Sequence, residues 1–317
     1  MKIVVLDGHT SNPGDLSWDV LENLGELTVW PRTSDGELIE RAKDADVLVV
    51  NKRTIMKDDF VRLEKVKCIC TLATGYNNID IKTAKDRGVT VCNAVGYSSP
   101  SVAQHVFAMI LHHYNNLDLY FNDVRNGKWA ASSDFTFYAH PFAELAGKNI
   151  GIYGYGKIGQ AVGAIAKSLG MSILVIKRGE EKDIHEDVHY VDENDFLSQS
   201  DIVTLHAPLS EYNANYMNTE RLSKMKESAI LVNTGRGGLI DEAALCRALE
   251  NDSIAAAYLD VLTVEPPPHD HILQKAPRCF ITPHIAWATG ASRKRLIQIV
   301  ADNIKAFQEG KPQNVVV

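Results

Sequence analysis

Three ionisable residues in the last third of the chain could together perform acid–base chemistry on an anionic substrate. Arg236, Glu265 and His284 each follow a short apolar run that is typical of a β-strand. Ligands of open α/β sheets bind beyond the carboxyl ends of the strands, so these side chains can converge. A histidine paired with a carboxylate can donate and accept a proton, and an arginine fork can bind a carboxylate. Taken singly, each residue could instead cap a turn, be solvated in a loop or be a structural imidazole.

A glycine-rich loop lies upstream of these residues. The sequence GYGKIG at 154–159 follows a strand-like run and opens a helical pattern. In that context the glycines allow a tight turn, and the helix N-terminus offers N–H groups and a positive dipole end to a pyrophosphate. The spacing therefore predicts a dinucleotide site whose phosphates contact Gly154, Gly156, Lys157 and Ile158. A glycine-rich packing turn is the alternative interpretation.

Two cations stand where the cofactor's ribose is expected. Lys177 and Arg178 end the next strand-like run, at a position where an NAD site usually has Asp or Glu for the ribose hydroxyls. Two positive charges suit the 2′-phosphate of NADP instead. We therefore expect NAD(P)H as the cofactor, with a preference for NADP. In the alternative, both side chains are solvated, and Glu180 or the backbone serves the ribose.

The composition excludes two classes of partner. Among 317 residues, 40 acidic side chains outnumber 33 basic ones, and no basic stripe for nucleic acid is present. No run approaches the roughly 18 apolar residues of a membrane helix, and the N-terminal run is too short for a signal peptide.

The five cysteines are odd in number and lack zinc-site spacing, which favours free thiols in a reducing cytoplasm and no metal site. Cys68 and Cys70 as a metal pair are the alternative.

Short apolar runs alternate with helical patterns throughout the chain, which is typical of parallel βαβ architecture. Continuous apolar runs suit strands that are buried on both faces. A polar, aromatic segment at about 118–146 has no clear periodicity and separates two series of runs. The first series lies at 2–6, 27–30, 46–50, 67–71 and 89–92, and the second at 149–153, 172–176, 201–205, 229–233, 255–259 and 279–282.

The two series predict an α/β fold with two doubly wound parallel-sheet domains. Helical patterns at 101–116 and 291–309 flank the second series. If the last helix returns to pack on the first series, the first domain is discontinuous. We therefore expect one domain at 1–99 and 287–317, and a dinucleotide-binding domain at 100–286.

Seven motifs are spread over nearly the whole chain. They are ATGYNNID at 73–80, NAVGYSSPSVAQHVFAMIL at 93–111, GYGKIG at 154–159, HAPL at 206–209, NTGRGGLIDEAAL at 233–245, DVLTVEPP at 260–267 and TPHIAWAT at 282–289. Together they resemble the D-2-hydroxyacid dehydrogenase family, and VAQHVFA and HIAWAT are most similar to its glycerate dehydrogenase (hydroxypyruvate reductase) branch. The resemblance implies a Rossmann cofactor domain inserted into a flavodoxin-like substrate domain.

The resemblance also implies roles for individual residues. Arg236, Glu265 and His284 are its catalytic set. The substrate carboxylate would contact backbone N–H groups of the loop formed by Ala73, Thr74, Gly75 and Tyr76. Trp287 would form one wall of the substrate pocket. The cofactor would contact the glycine loop, Lys177 and Arg178, and a further group comprising His206, Pro208, Thr234, Gly235 and Asp260. Asp260 would bind the amide of the nicotinamide. Family members are usually homodimers joined through the region at 101–143.

The residues and the resemblance together predict an activity. A hydride would pass from the nicotinamide to the keto carbon of a small 2-oxo acid while His284 protonates the carbonyl oxygen, with hydroxypyruvate and D-glycerate as the expected pair. Sister enzymes acting on glyoxylate, lactate or phosphoglycerate are alternatives, although a phosphoglycerate enzyme usually continues well past the last helix. A formate dehydrogenase usually has Gln in place of Glu265. A cofactor-sensing protein similar to the related corepressors is the alternative from another functional class.

Overall fold

Apolar runs bounded by polar turns form the strands of a computed structural model that describes residues 1–177 and 185–317. The strands are β1 Lys2–Val5, β2 Glu26–Val29, β3 Val47–Val50, β4 Cys68–Thr71, β5 Thr90–Cys92, β6 Asn149–Tyr153, β7 Ser172–Ile176, β8 Val188–Val191, β9 Ile202–Leu205, β10 Ile230–Asn233, β11 Ala256–Leu259 and β12 Cys279–Ile281. The helices are α1 Asp19–Glu22, α2 Leu38–Ala42, α3 Lys57–Arg62, α4 Ile81–Asp86, α5 Ser99–Asn115, α6 Leu117–Arg125, α7 Lys157–Ser168, α8 Glu193–Gln199, α9 Thr219–Leu222, α10 Glu242–Glu250, α11 Ile272–Lys275 and α12 Gly290–Gln308. Arg178 and Glu180 lie outside the described residues.

The strands are divided between two units, each with its own sheet and core. β1 to β5 belong to the unit formed by Met1–Ser98 and Trp287–Val317, and β6 to β12 belong to the unit Ser99–Ala286. None of the helices in the described residues has the length and apolar character needed to span a bilayer.

The first unit contains a five-stranded sheet in the order β2-β1-β3-β4-β5, and every pairing is parallel. This is the flavodoxin-like strand order. Because both faces of the strands are buried, alternate side chains enter two separate apolar clusters. One cluster includes Leu296 and Val300 of α12, and the other includes Leu38 of α2 and Phe60 of α3.

The second unit contains a seven-stranded parallel sheet in the order β12-β11-β10-β9-β6-β7-β8. The chain winds outward in both directions from the junction of β6 and β9, as in the Rossmann fold, where this junction is the ligand-binding switch point. The loops that follow β6 and β9 therefore share one edge of the sheet. The loops that follow β10, β11 and β12 are also neighbours. The predicted class, two doubly wound parallel-sheet α/β domains, is confirmed.

Two segments differ from the sequence-based expectation. Strand β8 was not predicted, because it is an edge strand in which only Val188 is buried and polar residues interrupt the apolar run. The expectation that 118–146 lacks regular structure was wrong at its start, where α6 forms. Its residues Leu117, Phe121 and Val124 have helical spacing, but their side chains are exposed rather than packed on the core of the unit.

Candidate active site

A short hydrogen bond joins His284 to Glu265. The ring nitrogen Nδ1 lies 2.6 Å from Oε2, and the two side chains are 25% and 33% exposed. Since a carboxylate only accepts, Nδ1 donates, and Nε2 is left to exchange a proton with a substrate. His284 has a φ of 54°, in the left-handed region that residues other than glycine adopt rarely. The pair can therefore act as an acid–base group whose ring orientation is imposed by the fold.

The buried carboxylate of Asp260 holds the loop that carries His284. Its Oδ1 accepts from Thr282 Oγ1 at 2.6 Å and from Ile285 N at 2.8 Å, and its Oδ2 accepts from Ala286 N at 2.8 Å. Asp260 is 1% exposed. Both of its oxygens therefore hold the loop, through the hydroxyl of Thr282 before the histidine and through the two backbone N–H groups that follow it.

Glu265 is fixed on both carboxylate oxygens. Oε1 accepts from Leu262 N at 3.0 Å, and Oε2 accepts from His284. The first bond closes a tight turn immediately after β11, and the peptide between Glu265 and Pro266 is cis. Two bonds to one carboxylate leave little rotational freedom, so Glu265 can hold the imidazole at a constant position.

Arg236 lies in the loop after β10, the strand next to β11 in the sheet. Its side chain is exposed, and its Nη1 donates to Gly235 O at 2.8 Å. The fully buried Asn233 fixes this loop, because its Nδ2 donates to Arg236 O at 2.9 Å and its Oδ1 accepts from Gly235 N at 3.0 Å. The three predicted catalytic residues therefore form one bonded pair and one arginine on the adjoining loop.

The glycine loop at 154–159 is closed towards the protein and open on its other side. Gly154 has a φ of +99°, and a Cβ there would lie 2.4 Å from Ala207 N, so only glycine fits. Gly156 directly precedes α7 and gives it no side-chain cap, and a Cβ on Gly156 would meet no protein atom within 4 Å. The exposed Lys157 and the half-buried Ile158 follow. An uncapped helix start that faces open space fits a pyrophosphate.

The remaining predicted cofactor residues have mixed surroundings. His206 is held by Thr204 Oγ1 at 2.9 Å from Nε2 and by Thr234 Oγ1 at 3.4 Å from Nδ1. Burial lowers the pKa of His206 to about 3, so its ring is neutral near pH 7. Pro208 follows it and is exposed. Lys177 is exposed at the end of β7, where its backbone N donates to Val191 O.

The predicted substrate loop at 73–76 belongs to the first unit. Ala73 O accepts from Ala94 N at 3.0 Å, and Thr74 Oγ1 donates to Ala94 O at 2.7 Å. Gly75 is half-buried and Tyr76 is exposed. The loop is thereby tied to the segment that follows β5, and its outer residues stay accessible to a ligand.

Two further features of the first unit bear on the sequence analysis. Trp287 packs edge-on against Tyr97, with ring centroids 6.2 Å apart. Cys68 and Cys70 are free thiols in the apolar core, and the register of β4 on β5 brings Cys92 opposite Cys70. The three Sγ atoms lie within 4.8 Å of one another. The grouping of the third thiol depends on strand pairing and was not foreseen from the sequence.

Comparisons with known proteins identify the family. Residues 107–286 match the family model described as D-isomer specific 2-hydroxyacid dehydrogenase, NAD binding domain. The chain is 43% identical over 320 residues to a hydroxypyruvate reductase of Blautia hydrogenotrophica, a match that covers 100% of this chain and 99% of the relative. It is 39% identical over 282 residues to a glycerate dehydrogenase of Methylorubrum extorquens, covering 88% of each chain.

The chain belongs to the D-isomer specific 2-hydroxyacid dehydrogenase family. This dehydrogenase is thus an oxidoreductase that acts on CH–OH groups with a nicotinamide cofactor. A solved structure of an acyclic imino acid reductase in complex with NADPH and D-Arg is similar to it over the full length of both chains, with a TM-score of 0.87 and 29% identity.

Sequence reasoning missed the residues that support the catalytic set. Asn233 precedes the TGRGG motif and was interpreted only as part of a strand end, and the hold of Asp260 on the histidine loop was not foreseen. A signal was present in each case, because an Asn or Asp directly after a buried strand is placed to accept from loop N–H groups. Which loop it holds depends on the neighbouring strand.

Gly156→Ala should fold normally and bind NAD(P)H weakly. The added Cβ contacts no protein atom within 4 Å, but it enters the open space in front of α7. We expect an unchanged thermal midpoint and a cofactor Kd raised at least tenfold, about 1.4 kcal/mol, in a fluorescence titration.

Gly154→Ala is the matched contrast to this variant. Its Cβ would collide with the backbone of Ala207 at 2.4 Å, so we expect a lower thermal midpoint. Wild-type cofactor affinity in Gly156→Ala would contradict the assignment of this loop to the phosphates.

Proposed function

We propose that this dehydrogenase reduces hydroxypyruvate to D-glycerate, with His284 as the general acid. The observation that carries the chemistry is the 2.6 Å bond between His284 Nδ1 and Glu265 Oε2, which leaves Nε2 available to a substrate. The choice of substrate is supported by the names of the two relatives, one a hydroxypyruvate reductase and the other a glycerate dehydrogenase. Glyoxylate, lactate and phosphoglycerate reductases of the same family are the alternatives to be tested.

The proposed reaction adds a hydride and a proton across a carbonyl group. When bound, the reduced nicotinamide supplies the hydride to the keto carbon. His284 Nε2 donates the proton to the carbonyl oxygen, and the negative charge of Glu265 stabilises the ring while it is protonated. Arg236 binds the substrate carboxylate and polarises the carbonyl through its fixed charge. In the reverse direction, neutral His284 accepts the proton of the hydroxyl group.

Residues outside this set are proposed to bind and orient. Backbone N–H groups of the loop at 73–76 hold the substrate carboxylate, and Trp287 forms one wall of the pocket. The unit with residues 1–99 and 287–317 is then the substrate domain, and 100–286 is the cofactor domain. Neutral His206, Pro208, Thr234 and Gly235 line the cofactor. The five free thiols support the cytoplasm as the compartment.

His284→Gln should lower kcat by about 10²–10⁴-fold, because Gln cannot donate a proton as a general acid. The Kd for the cofactor should stay within about twofold of wild type, since the variant leaves the glycine loop intact. Initial rates with hydroxypyruvate, glyoxylate and pyruvate measure turnover, and we expect the highest kcat/KM with hydroxypyruvate. Wild-type turnover in the variant would exclude His284 as the acid. A wild-type protein that binds the cofactor but reduces none of the three would favour the sensing-protein alternative.

We further propose that Lys177 gives a preference for NADPH over NADH, through contact with the 2′-phosphate. Arg178, its predicted partner, lies outside the described residues. Lys177→Asp should lower kcat/KM for NADPH at least tenfold and leave the NADH value nearly unchanged. Lys167→Asp, a matched change of an exposed lysine on α7 that pairs with Asp187, should leave the ratio unaltered. A clear NADH preference of the wild type would overturn this proposal.

We also propose a homodimer formed through the region at 101–143. Large apolar side chains are exposed there, including Phe121 at 57%, Trp129 at 53% and Phe135 at 89%. A patch of this kind usually marks an interface. Sedimentation equilibrium should give about twice the 35.0 kDa of one chain, and Phe121→Asp should shift the mass towards a monomer. Tyr212→Asp is the matched control, at a side chain that is 99% exposed, and it should leave the mass unchanged. A wild-type monomer would contradict the proposal.

A further inference from the structure

Two side chains that the proposed mechanism does not use lie behind the loop that carries Glu265. Glu242, at the start of α10, accepts from Thr263 N through Oε1 at 2.8 Å. Its other oxygen, Oε2, lies 3.1 Å from Nε2 of His271. Both side chains are largely buried, with 18% and 9% exposure. A carboxylate that bridges a backbone amide and an imidazole has little freedom to move.

The same loop is pressed against the residue that follows Arg236. A Cβ on Gly237 would lie 1.9 Å from the carbonyl carbon of Leu262 and 2.2 Å from the nitrogen of Thr263. The backbone at 262–263 therefore occupies the space that a side chain would take at this position. Any shift of this segment changes the spacing between the arginine loop and Glu265.

The outer part of the loop has few anchors of its own. Leu262 is buried, but Thr263, Val264 and Glu265 are exposed. Apolar packing therefore stops at Leu262, and the position of the next three residues depends on hydrogen bonds. They include the bond from Leu262 N to Glu265 within the loop, the bond from His284 to Glu265, and the bond from Thr263 N to Glu242, which ties the loop to α10.

His271 restrains Glu242 from the other side. Since a carboxylate can only accept, Nε2 is the donor, and a neutral ring then has its lone pair on Nδ1. That buried nitrogen has no hydrogen-bond partner among the described residues. The bond to Glu242 is therefore the polar contact that orients the ring among the described residues.

We propose that Glu242 and His271 are positioning residues that hold the loop at 262–265 so that Glu265 meets His284 beside the arginine loop. Neither touches the reacting atoms. A chain of hydrogen bonds runs from His271 through the Glu242 carboxylate to Thr263 N. The loop backbone then holds Glu265, which binds the imidazole of His284. The proposal rests on the proposed function in that it takes the Glu265–His284 pair as the acid–base group.

Glu242→Ala tests the proposal through steady-state kinetics. The loop loses its tie to α10, so we expect kcat to fall by roughly 10–100-fold, the cost of misplacing a catalytic group through its supporting residue. The KM for the 2-oxo acid and the Kd for the cofactor should change less than about threefold, because Arg236 and the glycine loop are untouched. Glu242→Gln keeps an acceptor for Thr263 N–H and should restore most of kcat. Glu250→Ala, the same substitution at the exposed end of α10, is the matched control and should behave as wild type.

A second readout needs no turnover. The proton of His284 Nδ1, held at 2.6 Å from a carboxylate, should give a downfield ¹H NMR resonance in the wild-type protein that is absent in His284→Gln. We expect this resonance to persist in Glu242→Gln and Glu250→Ala and to move upfield or vanish in Glu242→Ala. It reports the position of the pair even if no 2-oxo acid proves to be a substrate, so failure of the proposed function remains distinguishable from failure of this proposal.

Three outcomes would overturn the proposal. The first is a Glu242→Ala protein that has a lower thermal midpoint but wild-type kcat and the wild-type resonance, as expected for a purely structural role. The second is a loss of kcat that Glu242→Gln does not rescue. The third applies if Glu242→Ala does not fold, in which case His271→Gln replaces it. The proposal expects His271→Gln to lower kcat with an unchanged KM. A His271→Gln protein with wild-type kcat and the wild-type resonance would overturn it.

Discussion

The hydrogen bond between His284 Nδ1 and Glu265 Oε2 is the constraint on which the site depends. It joins residues 19 positions apart, one after β11 and one after β12, at 2.6 Å. Such a bond forms only if the two strands pair in parallel and end at the same level, as the register of Leu259 on Ile281 ensures. His284 itself has a φ of 54°, in the left-handed region that residues other than glycine adopt rarely.

Carboxylates that accept from loop N–H groups are the recurring means by which these loops are fixed. Asp260 holds the histidine loop, and Glu242 holds the glutamate loop. In the first unit, Asp7 accepts from the backbone nitrogens of the three residues at 51–53, directly after β3. Bonds to a charged acceptor are stronger than neutral ones, so each can order a loop that has little apolar packing.

The glycine loop at 154–159 depends on the absence of side chains, whereas the loops above depend on carboxylate side chains. Gly154 is required because the backbone of Ala207 lies where a Cβ would be, whereas Gly156 faces open space. One glycine thus lets β6 and β9 approach closely, and the other leaves room for a ligand at the start of α7. The same residue type serves packing in one place and leaves open space in the other, a distinction that only the surroundings reveal.

The sequence by itself determined most of the strands and the candidates for the reacting residues, since continuous apolar runs and the spacing of motifs are local features of the chain. It did not predict β8, whose edge position weakens the apolar run, or α6, whose apolar side chains are exposed. The tertiary structure alone decided which strand ends are neighbours, and hence that Asp260 holds the histidine loop across 26 positions and that Glu242 reaches Thr263 across 21. Contacts at such separations follow from strand order and register, which no local pattern encodes.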